Sequence, residues 1–162
     1  MSLERKGYDV EEVGDAFLDH FTKYFRDCWR REVFASHATG ATIQVLQYPN
    51  VLPDCLACVT FGLSRAGVES HSSVELVLVG DRGVELLPKI LANLAFLAVE
   101  HGLPLREGTL LRGIENICPE FSQAFRKTAL LLTTPQGLPD EFAEVRGRRG
   151  DVSGRVSDVD AA

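Results

Sequence analysis

The stretch Val74-Glu-Leu-Val-Leu-Val79 constrains this chain more than any other. After Glu75 every position is apolar, so side chains on both sides of an extended strand need cover. Such a strand belongs in the middle of a sheet with a packed layer on each face. Neighbouring segments supply the other parts. Thr42 to Tyr48 (TIQVLQY) is β-rich and ends at the turn signal Pro49-Asn50, and Leu56 to Gly62 gives a second strand. Glu85 to His101 predicts a buried helix: Leu87, Ile90, Leu91, Leu94, Leu97 and Ala98 form its apolar face, Pro88 fits the first turn, and Gly102 closes it before Pro104. Val10 to Ala35 predicts another. There Val10, Val13, Phe17, Phe21, Phe25, Cys28 and Trp29 recur at three- and four-residue steps, as in a helix laid across a sheet.

The second half is read in shorter pieces. Gly108 to Ile117 is glycine-punctuated and short-stranded, and Glu120 to Lys127 makes one or two helical turns. Ala129 to Thr133 (ALLLT) reads as the last core strand, and Asp140 to Val145 as a short terminal helix capped by Asp140. Beyond Arg146 valine is the only hydrophobe larger than alanine. A segment that buries so little cannot offset its ordering entropy, so residues 147–162 are expected to be a disordered polar tail. Residues 1–9 then form an N-terminal arm, and 10–146 a single α+β domain with a mixed β-sheet flanked by helices.

The 162 residues carry a formal charge of −6. That balance disfavours nucleic-acid phosphates and anionic membrane as partners, and suits either a basic partner or plain solubility. Met1 to Asp9 lacks the apolar core of a secretory signal, and no apolar run approaches the length of a membrane span, so a cytoplasmic location is expected.

The arrangements that could carry chemistry each meet a simpler explanation. Cys55-Leu-Ala-Cys58 has redox or zinc-like spacing, yet residues three apart on a strand point to opposite faces. With Cys28 and Cys118, these cysteines read as small hydrophobes in a reducing compartment. Gly62-Leu-Ser64-Arg-Ala66 follows a strand as a nucleophile elbow would, with Asp81 and His101 later in the chain. Ala66 replaces the second glycine, however, and a polar loop follows instead of a helix. A small serine hydrolase centred on Ser64 is therefore the alternative reading. His20, His37, His71 and His101 are not spaced for one metal, and Gly80-Asp-Arg-Gly83 reads as a turn. No catalytic, metal or cofactor residue is assigned.

Taken in order, Ile43 to Tyr48, Val59-Thr-Phe-Gly-Leu-Ser64, Val74-Glu-Leu-Val-Leu78, Leu87-Pro-Lys-Ile-Leu91 with Leu94-Ala95, Glu107-Gly-Thr109, and Thr128 to Thr133 with Phe142 form a familiar series. The chain resembles the Suppressor of fused-like domain over about residues 40 to 145. Its most specific marks are the T-x-G-L-S run at Thr60 to Ser64 and the E-L-x-L strand at Glu75 to Leu78. The resemblance implies a mixed sheet with flanking helices and a non-enzymatic, protein-binding role. In the eukaryotic regulator such a domain helps hold a short peptide by strand addition, so a regulatory adaptor that binds a peptide this way is the other alternative reading. Bacterial members are often inferred to be immunity proteins, and an acidic binder suits a basic toxin. The polar loop Ser64 to Ser73, with Ser64, Arg65, Glu69 and His71, is the candidate contact surface. Two departures stand out. The hydrophobic strand and proline-containing acidic ending of many bacterial relatives are not recognisable after the last helix, and a single domain is expected, without the second that completes a peptide clamp.

Overall fold

A computed structural model describes residues 10–49, 51–63, 73–135, 137–146 and 152–161. In chain order the elements are α1 (Val10–Phe25), β1 (Arg30–Ala35), β2 (Thr42–Pro49), β3 (Cys55–Phe61), β4 (Ser73–Asp81), α2 (Leu87–His101), β5 (Leu110–Arg112), α3 (Pro119–Phe125), β6 (Ala129–Thr133), β7 (Glu144–Arg146) and β8 (Val152–Ala161). The strands build one mixed sheet in the order β1-β2-β3-β4-β8-β6-β5, with β7 also paired to β8. All pairings are antiparallel except β4 with β8.

Strand alternation divides the interior into two layers. On one face Leu76 and Leu78 of β4, Leu56 and Cys58 of β3 and Val159 of β8 meet Leu87, Ile90, Leu91 and Leu94 of α2. On the other, Val77 of β4, Val59 of β3 and Val156 of β8 meet Phe17, Phe21 and Phe25 of α1, together with Tyr48 and Phe142. The VELVLV strand is thus covered on both sides, as its composition requires. Helix α2 follows its sequence signals: proline in the first turn, and Gly102 as a left-handed cap with φ 61°.

The first helix is shorter than its stripe. Arg26 adopts a left-handed conformation (φ 66°) and its N–H returns to Thr22 O at 3.0 Å, which ends α1 at Phe25. Cys28 and Trp29, which continue the helical spacing on paper, are exposed. From Arg30 the chain is instead an edge strand, because Val33-Phe34 alternates and β2 offers an unpaired ladder.

The expected tail is the larger correction. Residues 152–161 are not disordered; β8 lies inside the sheet, parallel to β4 on one edge and antiparallel to β7 and then β6 on the other. The domain therefore runs beyond 146, and the segment expected to be a tail supplies an interior strand of the sheet. Ala129–Thr133 is correspondingly not the last strand. Composition misled because a strand slotted between two others has its main chain satisfied on both sides, and its neighbours supply most of the apolar surface. Val156 and Val159, buried one on each layer, suffice. Asp140 does not cap a terminal helix either: Asp140–Ala143 is a 3-10 turn entered from Pro139 without a side-chain cap, and β7 follows it. Residues 1–9 lie outside the described residues.

Candidate functional site

The residues that mark the chain most specifically meet at one end of the sheet. The β3–β4 ladder stops at Val59↔Val77. Past that point side chains take over. Thr60 Oγ1 accepts the Leu76 N–H at 2.8 Å and donates to Glu75 Oε2 at 2.5 Å. Glu75 Oε1 accepts the Gly62 N–H at 2.8 Å, and Oε2 also accepts the Leu63 N–H at 3.2 Å. Gly62 has φ 109°, a conformation that disfavours any side chain, so the turn that delivers these two N–H groups requires glycine there. Glu75 is 0% exposed. A buried carboxylate is tolerable when hydrogen-bond donors converge on it, and here a hydroxyl and two main-chain N–H groups do so.

This clasp gives the Thr60-x-Gly-Leu and Glu75-Leu signatures one physical purpose: each holds the other. It also fixes both ends of the segment between Leu63 and Ser73. Ser64, Arg65, Glu69 and His71, the candidate contact residues, lie outside the described residues, as does Ser64 in its alternative role as a nucleophile. Thr60 and Glu75 belong to two separate sequence marks, and linear order alone does not join them. The available signal was a lone glutamate in an otherwise apolar central strand, which needs a partner wherever it is buried.

The other candidates are structural. Cys55 and Cys58 lie on opposite faces of β3, with Cys58 in the α2 layer. Burial, with the nearby Glu32 charge, pushes the Cys58 thiol up to about 12, which favours its protonated form at neutral pH. Burial also raises the Cys118 thiol. His20 projects from α1 against Phe142, ring centroids 5.2 Å apart, and its Nε2 lies 2.7 Å from Phe142 O. A carbonyl only accepts, so Nε2 carries the proton. Burial lowers the pKa of His20, outweighing the carbonyl contact, and Lys23 adds to the lowering. The Gly80–Gly83 segment is a turn in which Asp81 Oδ1 takes the Gly83 N–H at 2.7 Å. A Cβ on Gly80 would stand 2.8 Å from Leu87 Cδ2, so glycine there lets α2 pack closely.

A partly buried acid lies on β8. Asp158 is pushed up to about 7 by burial and by the charge of Asp160. Across the sheet it faces Thr133, whose hydroxyl is buried and makes no hydrogen bond. An apolar pocket at the C-terminal end of α2, lined by Leu94, Ala98, Leu103, Leu105, Leu130 and neighbours, has Thr109 as its sole polar side chain. Among the described residues no three histidine, cysteine or acidic side chains gather as a metal site, and no helix is long and apolar enough to cross a membrane.

Comparison with known proteins agrees with this geometry. The family model described as Suppressor of fused protein matches residues 40–155, which takes in the clasp and the start of β8. The fold is similar to the crystal structure of a Suppressor of fused homologue from Neisseria gonorrhoeae, with a TM-score of 0.59 and 16% identity, over 91% of this chain and 76% of that one. No curated protein matches the sequence.

Proposed function

Because the chain belongs to the Suppressor of fused family, we propose that it acts by binding another protein and not by catalysis, as an immunity-type protein that neutralises a basic toxin. Family membership is the observation that carries the reading, since domains of this kind are protein-interaction modules. Two features support it. Among the described residues of the family signature, Thr60, Gly62, Leu63 and Glu75 bond to one another in the clasp, an arrangement suited to a rigid support. The net charge of −6 favours capture of a cationic partner through electrostatic steering. The segment after Leu63, with Ser64, Arg65, Glu69 and His71, is the proposed contact surface, because it is tethered at both ends to that support.

The test is a tagged pull-down from the source organism, followed by expression of the captured protein alone and with this chain. Recovery of a stoichiometric basic protein that harms cells alone and is harmless in the pair is the expected result. Its toxicity persisting in the pair would remove the immunity reading. Combined Arg65→Ala, Glu69→Ala and His71→Ala substitution should weaken capture at least tenfold while leaving the melting temperature unchanged. Fluorophosphonate labelling that disappears in Ser64→Ala would establish the hydrolase instead.

A further inference from the structure

The chain carries 23 acidic residues against 17 basic ones, and one stretch reverses that balance. Between positions 23 and 32 stand the cations Lys23, Arg26, Arg30 and Arg31, against Asp27 and Glu32 alone. The fold gathers them at the corner where α1 ends and β1 begins. Residues 26–31 are all exposed, and they include the chain's one tryptophan, Trp29, at 62%. Their main chain is nevertheless anchored. The Arg26 N–H donates to Thr22 O at 3.0 Å, and the Trp29 N–H to Gln47 O at 2.9 Å. Continuing the Arg30↔Gln47 register sets Trp29 opposite Tyr48, whose ring lies 5.2 Å from that of Phe25, the residue before Arg26. Arg26 and Trp29 therefore flank the same buried tyrosine. Arg31 lies within electrostatic reach of it as well: burial and Cys28 raise the pKa of the Tyr48 hydroxyl, and the Arg31 charge opposes the rise.

The acids of this corner do not neutralise it. Glu32 Oε1 is shared between Gln47 Nε2 at 3.0 Å and Arg30 Nε at 3.4 Å. Among the described residues Asp27 makes no ion pair, and neither do Arg26 and Arg31. Guanidinium groups beside an exposed indole have the composition of a binding hot spot, where Trp and Arg are enriched. We propose that this corner binds an acidic peptide segment of a second protein, whose carboxylates pair with Arg26 and Arg31 while an apolar side chain covers Trp29. Charge and size select that occupant. A guanidinium takes a planar carboxylate through two parallel hydrogen bonds, which a lysine cannot do. Duplex nucleic acid or an anionic membrane would lie along a wider area and meet the −6 charge of the whole chain. A short segment meets the corner alone, because charges beyond about 8–10 Å are screened at physiological salt. Such a partner is opposite in charge to the basic one proposed above, so the two surfaces are independent.

The test uses the full chain, with Trp29 as its own reporter, since no other tryptophan contributes to the emission. A short peptide of repeated Glu-Glu-Leu should change Trp29 fluorescence saturably, and rising salt should weaken its binding. The same peptide with glutamine for glutamate should leave the emission unchanged. Arg26→Asn combined with Arg31→Gln removes both charges, and asparagine suits the left-handed backbone at position 26, so the melting temperature should hold. That variant should bind the acidic peptide about tenfold more weakly, the scale of two exposed charge pairs. Arg31→Gln alone should change affinity in the same direction. Arg106→Gln with Arg112→Gln, which removes two exposed arginines elsewhere, should bind as the parent does. Trp29 emission that does not respond to the acidic peptide overturns the proposal. So does equal binding of the glutamine peptide, or undiminished binding by both Arg31 variants. If a DNA duplex or phosphatidylserine vesicles bind more tightly than the peptide, and lose that binding in the Arg26 and Arg31 variant, the occupant belongs to another class and the proposal is likewise wrong. The toxin reading stands or falls separately, on the pull-down with the Arg65, Glu69 and His71 variant.

Discussion

Glu75, fully buried, and Asp158, partly buried, are carboxylates on adjacent parallel strands, two residues apart in register: Glu75 lies beside Val156, and Asp158 beside Val77. The main difference between them is the set of donors each receives. Glu75 receives the Thr60 hydroxyl and the Gly62 and Leu63 N–H groups. Asp158 has a main-chain bond from Val159 in its favour, against burial and the charge of Asp160, and the outcome is a pKa near 7. Opposite it, the Thr133 hydroxyl makes no hydrogen bond. Burial by itself does not decide whether an acid supports a fold; the donors delivered to it do. The Glu75 end is a finished structural joint, and the Asp158 end a strand held in place despite its side chains.

The largest effect should come from breaking the less comfortable side. Removing residues 152–162 leaves β4 and β6 without the strand between them and opens both layers at Val156 and Val159. Such a chain should show no cooperative thermal transition by calorimetry. A truncated protein that still melts sharply would show that β8 is peripheral, and the comparison with Glu75 would collapse. Next in size is Glu75→Ala, which strands two main-chain N–H groups and the Thr60 hydroxyl in a buried site. Its cost in chemical denaturation should be about 3–5 kcal/mol, as for other buried charged groups stripped of a partner. Glu75→Gln should recover only part of that, because its NH₂ meets a donor where the carboxylate offered an acceptor. Equal stability of Glu75→Ala and the parent would mean the joint is not structural.

These two regions also explain what sequence could and could not reveal. The apolar run of β4 and the leucine face of α2 are local patterns whose period dictates both element and burial, and both were legible. The clasp was visible only as two separate signatures, since nothing in a linear pattern says that Thr60 and Glu75 meet across a strand pair. Strand β8 was hidden for a different reason. Its stability comes from hydrogen bonds to β4, β6 and β7, which are long-range, while its own composition resembles that of a solvated tail. The end of α1 was lost to the ambiguity of Cys28 and Trp29, whose spacing fits a helix equally well and whose exposure is known only from the fold.

A third effect isolates Asp158. Its folded pKa is raised from an ordinary 3.8 to about 7, so the native state holds its proton over a range where the unfolded chain has lost it. The contribution to stability is fully present below about pH 4 and is lost as pH rises toward 7. Asp158→Asn removes that loss. It should match the parent at pH 4 and exceed it at pH 8, by about 2–4 kcal/mol on the scale set by such a shift. Parallel stability profiles for parent and variant from pH 4 to 8 would show that the acid is not strained, and that the contrast with Glu75 is one of appearance.

The smallest effect runs in the opposite direction with pH and so provides the control. His20 has a pKa lowered below its ordinary 6.5, chiefly by burial, so the unfolded chain takes up a proton before the native state does. Stability from this residue is present above pH 6.5 and is lost as pH falls below it. His20→Phe keeps the stack on Phe142 but forfeits the bond to the Phe142 carbonyl. It should cost about 1 kcal/mol at pH 8, and the cost should shrink on acidification because the variant has no proton to gain. The Asp158 and His20 substitutions therefore change the pH profile with opposite slopes, and their double variant should be flatter than either single one between pH 5 and 8. A His20→Phe profile that runs parallel to the parent below pH 6.5 would locate the acid sensitivity elsewhere and leave Asp158 as the dominant titrating group of the α1 layer.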